Sequence, residues 1–309
     1  GKQKSVPVAA PDEELMESID GKILPILSGR GKGSWQTYNY PFSPSLEKTK
    51  SADGETIIET PYPRVSIIIR GLGLNRNATL AAINKLPGAM SLAFSPYAKS
   101  MEQWASLARG AGHETLISLP METVDFPASD PGPLSLLTDI KSEDNIARLH
   151  SIMSLSQAYV GLVQSLGSKY VTSAAALKPI IKSIKDRGLL FVDDGLVKDG
   201  LGVRLAAEMF LPHVRSDMII DNDASEVQIR QNLIRLEKIA RTNQSTIGLA
   251  KKNRTALGIG EPYPATIKQL SIWAKTLKSK KIDLAPVTAV ARDQFKKLEK
   301  TSNADVKAQ

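Results

Sequence analysis

The sequence contains no cysteine, only three histidines and 5% aromatic residues. Without cysteine the chain forms neither disulfide bonds nor thiolate metal sites, a composition that suits an oxidising compartment. No apolar run approaches the roughly 18 residues that a membrane-spanning helix needs. These absences leave a chain without covalent cross-links that must be stabilised by a packed core.

The three histidines, His113, His150 and His213, have no metal-ligand spacing, and none follows a predicted strand. A zinc site built from two or three histidines is therefore not expected. The sequence also lacks a G-x-S-x-G motif, and no histidine is placed to act as a base for a nucleophilic serine. The sequence therefore argues against two common hydrolytic sites, a zinc ion held by histidines and a serine nucleophile with a histidine base.

Length and charge set further bounds. The 309 residues suffice for one large α/β domain or two small ones, and the net charge is +8. From Lys275 onward there are nine basic and four acidic residues, so five of the eight positive charges lie in a terminal helix and tail without interleaved aromatics. This distribution favours a solvated surface over a nucleic-acid interface, with an anionic cell-wall polymer as the alternative.

The pattern divides the chain into three parts. Residues 1–60 are rich in Pro, Gly, Ser and Lys and predict an irregular, loosely attached arm whose aromatics could contact the main domain. Residues 61–291 alternate apolar runs with amphipathic segments, and residues 292–309 form a basic tail. The predicted strands are Val65–Ile69, Met90–Phe94, Thr115–Leu119, Tyr159–Val163, Leu189–Val192, Met218–Ile220, Ala256–Ile259 and Asp283–Val287.

Single helical segments separate these strands, which predicts βα units and a parallel sheet with outer helices. Seven or eight such units over ~230 residues favour closure into an α/β barrel, with an open sheet as the alternative.

In such a barrel, functional groups collect where the strands end. The polar and aromatic candidates at these ends are Arg70, Tyr97, Ser118, Glu122, Gln164, Ser165, Asp193, Asp194, Asp221, Asn222, Glu261 and Tyr263. Carboxylates that converge raise one another's pKa unless a cation lies between them, and here that cation is either a metal ion or Arg70. Alternatively, these groups cap neighbouring helices and never meet.

Several segments, in this order, resemble the divergent polysaccharide deacetylase family between Pro63 and Val290. They are "PRVSIIIRGLGL", "LPGAMSLAFSPYA", "GHETLISLPME", "DPGPLSLLT", "YVGLVQSLGS", "RGLLFVDDG" and "DMIIDND". The resemblance implies a distorted barrel of about seven strands. It also implies hydrolysis of acetyl groups on glycans, by a divalent metal held by one aspartate and two histidines, with an aspartate as base.

The residues that the resemblance assigns to this chemistry are replaced. Arg70 and Gly71 stand where two aspartates are expected, Ser118 and Ser165 where histidines are expected, and Glu261 where a Gly-His-Pro element carries its histidine. Among the acidic positions, Asp193, Asp221 and Asn222 match. Serine is a poor metal ligand and arginine repels a metal, so Arg70 is expected to stand in for the cation.

Two functions remain open at this point. The first is a catalytically inactive deacetylase-like protein of the bacterial envelope that binds a glycan such as peptidoglycan, or a partner protein, in cell-wall metabolism. The second is an active carbohydrate deacetylase or hydrolase with a rearranged carboxylate site, in which Asp193, Asp221 and Glu261 are catalytic. The remaining candidates would bind ligand. A third possibility is a scaffold that acts through the arm and the basic tail.

The resemblance also sets expectations about cofactor and location. No cofactor is expected, and a divalent metal only if the carboxylates converge. The expected location is the periplasm, either free or attached to the membrane or wall by an anchor that precedes residue 1.

Overall fold

The computed structural model describes residues 10–50, 57–242 and 255–295. The strands are β1 Met16–Ile19, β2 Lys22–Pro25, β3 Leu46–Lys50, β4 Ile57–Pro61, β5 Arg64–Leu72, β6 Ser91–Phe94, β7 Thr115–Met121, β8 Gly161–Leu166, β9 Leu190–Asp193, β10 His213–Arg215, β11 Met218–Ile219, β12 Thr255–Gly260 and β13 Asp283–Leu284. The helices are α1 Ser34–Thr37, α2 Arg76–Lys85, α3 Met101–Gly110, α4 Ser142–Met153, α5 Ala174–Asp186, α6 Gly202–Glu208, α7 Glu226–Thr242 and α8 Pro264–Leu277, and residues 287–295 are also helical. None of the described helices has the length and hydropathy needed to cross a bilayer.

Nine parallel strands form the central sheet in the order β10-β9-β8-β7-β6-β5-β12-β11, with β13 also paired to β5. The two end strands, β10 and β11, are consecutive in the chain and are joined by Ser216 and Asp217. The amide of Ser216 donates to Asp193 on one edge, and the amide of Asp217 donates to Leu257 on the other. The sheet therefore curls into a barrel-like form with helices outside, which confirms the predicted fold class.

Each strand that the sequence predicts is present, because each is a short apolar run bounded by turn residues. Strand β10 was not predicted. Its three residues include a histidine and an arginine, so it carries no apolar run. His213 is the first residue of β10.

Two apolar clusters lie on the two faces of the sheet. Ile68, Leu190 and Val192 belong to the cluster inside the curled sheet, whereas Ile67 and Phe191 belong to the cluster between the sheet and the helices. Neighbouring residues of a strand alternate between the two clusters, as the period of two requires. Both faces are apolar, which is typical of parallel sheets.

The N-terminal segment closes the amino end of the barrel. Trp35 and Tyr38 are buried in the inner cluster, and the Trp35 ring meets Phe295 of the helical segment 287–295 edge to face, with 5.9 Å between centroids. Gly33 packs so closely on Gly188 that a β-carbon at residue 33 would lie 2.3 Å from the Gly188 carbonyl oxygen. Between residues 10 and 50 the arm is thus more regular than the sequence predicts, with β1 and β2 forming one hairpin and β3 pairing with β4.

A buried carboxylate fixes this end of the barrel. Glu114, fully buried, accepts the amide of Tyr40 at 2.8 Å, the hydroxyl of Ser91 at 3.2 Å and the amide of Thr288 at 3.3 Å. It therefore ties the N-terminal segment, the sheet and the C-terminal helix together.

Candidate functional site

Arg70 lies at the carboxyl end of β5 and holds two carboxylates that follow other strands. Its Nε donates to Glu261 Oε1 at 2.6 Å, and its Nη1 donates to Asp194 Oδ2 at 3.3 Å. The Asp194 side chain is fully buried, and those of Arg70 and Glu261 are 13% and 28% exposed. Residues far apart in sequence thus converge on one guanidinium. We call Arg70, Asp194, Asp221 and Glu261 the charged centre.

Asp194 is held by two further donors. Gln164 Nε2 donates to its Oδ1 at 3.2 Å and also to the Leu166 carbonyl at 3.0 Å, and the amide of Leu196 donates to the same carboxylate oxygen at 3.1 Å. Burial raises the pKa of Asp194 to about 6, although the Leu196 amide and Arg70 act in the opposite direction. Removal of the carboxylate from water therefore outweighs the attraction of the guanidinium.

Asp221 completes the charged centre from the end of the segment that follows β11. Its Oδ2 accepts the amide of Glu261 at 2.8 Å and the hydroxyl of Thr266 at 2.7 Å, whereas its buried Oδ1 has no hydrogen-bond partner in the structure. Burial raises the pKa of Asp221 and of Glu261, and Arg70 opposes both shifts. The positive charge of one guanidinium thus stabilises the ionised forms of three carboxylates.

Gly71 and Glu261 fit each other sterically. Gly71 has a positive φ of 73°, and a β-carbon there would lie 2.6 Å from Glu261 Oε2. A side chain at residue 71 would therefore be strained in its backbone and would displace Glu261 from Arg70. Arginine, glycine and glutamate at these three positions form one mutually dependent arrangement.

This arrangement does not fit the divalent metal that the family resemblance implies. The Arg70 guanidinium occupies the position between the carboxylates, and the space for a ligand at residue 71 is taken by Glu261. Within residues 10–50, 57–242 and 255–295, no three His, Asp or Glu side chains are placed to hold a metal ion. Metal-dependent deacetylation needs metal ligands at this position, whereas the residues present place the permanent positive charge of Arg70 there.

Asp193 does not join the charged centre, although the sequence placed it there. Its Oδ1 accepts the amide of Gly195 at 2.8 Å and lies 4.0 Å from Arg215 Nε, and its Oδ2 lies against Gly202 of α6. Asp193 follows Phe191 on the helix-facing side of β9, whereas Asp194 follows Val192 on the inner side.

Glu122 forms a separate cluster. It accepts Lys169 Nζ at 2.7 Å and both the amide and hydroxyl of Thr138 at 2.6 Å. Burial acts to raise the pKa of Glu122, but these hydrogen bonds hold it below its usual value.

The remaining predicted residues lie around the rim. Ser118 is buried on β7 and Ser165 is half-buried on β8. The Tyr97 hydroxyl accepts a hydrogen bond from the amide of Leu134 at 3.2 Å. The side chain of exposed Asn222 accepts one from Asn232 Nδ2 at 3.4 Å. The amide of exposed Tyr263 donates to the Glu261 carbonyl at 2.8 Å. None of these five side chains forms a hydrogen bond to Arg70 among the described contacts.

Two contributors were missed. Thr266 donates to Asp221, and Lys169 neutralises Glu122. Thr266 lies in the first turn of α8, directly after the strand end that carries Glu261, and Lys169 follows β8 by three residues. A search for site residues that extended one helical turn beyond each strand end would have found both Thr266 and Lys169.

The fold and this site define an α/β barrel whose strand ends carry an arginine paired with carboxylates. The model of the divergent polysaccharide deacetylase family matches residues 67–291. The chain belongs to this family, as the sequence predicted.

Two curated proteins and one crystal structure are similar to this chain. The chain is 27% identical over 211 residues to the uncharacterized protein YibQ of Escherichia coli K12, covering 67% of this chain and 61% of that protein. It is 22% identical over 219 residues to an uncharacterized protein of Haemophilus influenzae, covering 69% of this chain and 72% of the relative. The crystal structure of the uncharacterized protein ATU2773 from Agrobacterium tumefaciens C58 superimposes with a TM-score of 0.77 at 29% identity, over 87% of this chain and 99% of that one. The chain thus spans about three fifths of the length of the Escherichia coli relative.

Proposed function

We propose that this protein is a metal-independent, non-catalytic member of its family that uses the carboxyl end of the barrel as a binding site in cell-wall metabolism. The ligand is an envelope glycan such as a peptidoglycan strand, or a protein that acts on the wall. The observation that supports this proposal is the position of Arg70, which is bound to Glu261 and Asp194.

The chemistry of deacetylation explains why this position matters. In that reaction a bound metal polarises the acetyl carbonyl and generates hydroxide near neutral pH. A guanidinium polarises a carbonyl by hydrogen bonding but does not bind water as a Lewis acid, and it is not deprotonated in proteins. Arg70 therefore provides recognition of a polar ligand without the nucleophile.

The location belongs to the same proposal. A wall-binding protein acts in the periplasm, either free or attached to the membrane or wall. The absence of cysteine is compatible with that oxidising compartment.

The test measures binding and acetate release on the same protein. Chitin oligosaccharides and muropeptides are titrated into the wild type and into Arg70→Gln, and acetate is assayed with Zn²⁺, Co²⁺ or Mn²⁺ added. We expect binding that Arg70→Gln weakens, and no acetate above the blank. Metal-dependent acetate release by the wild type that is lost in Asp194→Asn would refute the non-catalytic part of the proposal.

A second candidate function, a metal-free hydrolase, has one observation in its favour. Burial raises the pKa of Asp194 to about 6, and a carboxyl group with that pKa exchanges protons readily near neutral pH. Hydrolysis of a glycan by the wild type in excess chelator, with a pH profile that changes in Asp194→Asn, would favour this candidate. Hydrolysis that Asp194→Asn does not reduce would exclude it.

A further inference from the structure

Exposed apolar side chains surround the carboxyl end of the barrel. Leu74 follows β5, Val124 and Phe126 follow β7, Leu166 ends β8, Leu196 follows β9 and Tyr263 follows β12, each within five residues of the strand's end. Their exposures range from 36% for Phe126 to 72% for Val124. We call these six residues the apolar rim. Single exposed apolar residues are ordinary, but a set placed around one end of a barrel is typical of an interaction surface.

The apolar rim is attached to the charged centre through the backbone. The Leu166 carbonyl accepts Gln164 Nε2, whose other acceptor is Asp194, and the Leu196 amide donates to Asp194 itself. The Tyr263 amide donates to the carbonyl of Glu261. The contacts that fix Asp194 and Glu261 therefore also position Leu166, Leu196 and Tyr263, so one ligand can contact both parts.

Leu166 is unfavourable for folding in two respects. Its φ is 62°, in the left-handed region where a leucine is uncommon, and its side chain is 44% exposed. Glycine or asparagine would adopt this conformation at lower cost, and a polar residue would suit the exposure. The leucine leaves 44% of its surface in solvent in the described protein, and that apolar surface is available to a binding partner.

The charge at the centre indicates what accompanies the apolar contacts. Asp194, Asp221 and Glu261 share one guanidinium, Asp221 Oδ1 has no hydrogen-bond partner, and Glu261 is partly reachable from solvent. The centre thus has an excess of carboxylates that an incoming cation would balance. Four of the six rim residues are aliphatic, and Tyr97, the exposed aromatic residue that follows β6, already uses its hydroxyl to accept the amide of Leu134. Aliphatic side chains around an acidic centre suit a protein segment.

We propose that the carboxyl end binds a segment of a partner protein that places apolar side chains on the rim and one lysine or arginine against Glu261. This inference rests on the proposed function, because it names which occupant the binding site takes. The cation approaches Glu261 from solvent, on the side where its side chain is exposed.

The test uses a displayed library of short random peptides, selected on the full chain, followed by titration of the synthesised consensus peptide. We expect the consensus to contain leucine, isoleucine or phenylalanine together with a basic residue. Leu166→Gly should weaken its binding about tenfold, the loss expected for one buried apolar contact, and Glu261→Gln should weaken it similarly. The control is Leu107→Ala, which removes a leucine of α3 that is 54% exposed, against 44% for Leu166, and should bind as the wild type does.

The glycine variant keeps the test independent of misfolding, because Leu166→Gly suits the positive φ and should melt at the same temperature or higher. A selection that yields no enriched peptide, or a consensus that binds wild type and Leu166→Gly equally, would overturn the inference. The same variants are titrated with muropeptides and with phosphatidylglycerol vesicles. Muropeptide binding without peptide binding would leave the proposed function in place and refute the protein partner. Vesicle binding that depends on Leu166 would also refute the protein partner and would identify a membrane surface as the ligand.

Discussion

The two ends of the barrel differ in what they do with polar and apolar groups. At the amino end, Trp35, Tyr38 and Phe295 are packed against the barrel, and the carboxylate of Glu114 is fully buried among hydrogen-bond donors. At the carboxyl end the apolar side chains face solvent, and one guanidinium is shared among three carboxylates. The Glu114 carboxylate is satisfied by donors from its own chain, whereas the Asp221 carboxylate keeps one buried oxygen, Oδ1, without a hydrogen-bond partner.

This difference separates an end of the barrel that stabilises the fold from an end that exposes apolar and charged groups to solvent. The packed amino end needs only stability as its explanation. Exposed leucines and an unpartnered carboxylate oxygen contribute little to folding, and the proposed binding site accounts for both. The predictions below test whether stability and binding divide between the two ends in this way.

The largest effect is expected at the amino end. Trp35→Ala should lower the free energy of unfolding by about 4 kcal/mol, because it removes a buried aromatic ring and leaves a cavity against Phe295. Urea denaturation measures the change. The matched variant at the carboxyl end, Tyr263→Ala, should cost less than about 0.5 kcal/mol, since its ring is exposed. Equal losses in the two variants would break the comparison.

Loss of Arg70 should come next in size. Arg70→Ala leaves Asp194 and Glu261 without their cation, and we expect about 3 kcal/mol of destabilisation at pH 7. Part of this loss should be recovered below pH 6, where Asp194 takes up a proton. The control is Arg64→Ala, whose partner Asp293 is more exposed, so that it should cost less and recover nothing at pH 5. A loss in Arg70→Ala that does not depend on pH would show that Arg70 does not compensate these carboxylates.

Asp194 should give the protein a pH-dependent stability. Because its folded pKa of about 6 lies above the unfolded value near 4, the stabilisation that comes from its neutral form is complete below about pH 4 and is lost as the pH rises through 6. Between pH 4 and pH 7, ionisation of Asp194 should lower the free energy of unfolding of the wild type by about 2 to 3 kcal/mol. Asp194→Asn should not show this decrease. Identical pH profiles of unfolding in the two proteins would contradict this.

The smallest effect on stability is expected at Leu166. Leu166→Gly should leave the free energy of unfolding unchanged or raise it by up to about 1 kcal/mol, because glycine removes the strain at positive φ but gains entropy in the unfolded chain. Leu166→Asn is the companion variant, since asparagine also tolerates this conformation. A loss of more than about 2 kcal/mol in both would assign Leu166 to the core and weaken the contrast between the ends.

The sequence predicts the barrel because its strands are apolar runs, and it brings Arg70, Asp194 and Glu261 to one place because parallel strands end at one edge. It does not separate Asp193 from Asp194. Both faces of the sheet are apolar, so the period of two shows that neighbours point in opposite directions without showing which direction is inward.

The N-terminal hairpins escaped prediction for another reason. Strands β3 and β4 are largely exposed, as Lys48 and Glu59 illustrate, and carry no alternating apolar pattern. They form because the chain is fixed before β3 and after β4. Ser45 donates two hydrogen bonds to the Asp283 carboxylate, and β4 leads directly into β5 of the central sheet. Such contacts link residues more than two hundred positions apart, which local patterns do not reveal.

The central claim is that Arg70 has taken the place of a metal ion. Calorimetric titration of Zn²⁺, Mn²⁺ and Mg²⁺ into the wild type and into the double variant Asp194→Asn with Glu261→Gln tests it most directly. We predict the same weak heats in both proteins up to millimolar metal, arising from surface carboxylates alone. Binding of one ion per wild-type chain that disappears in the double variant would contradict the claim and would make this site a metal centre.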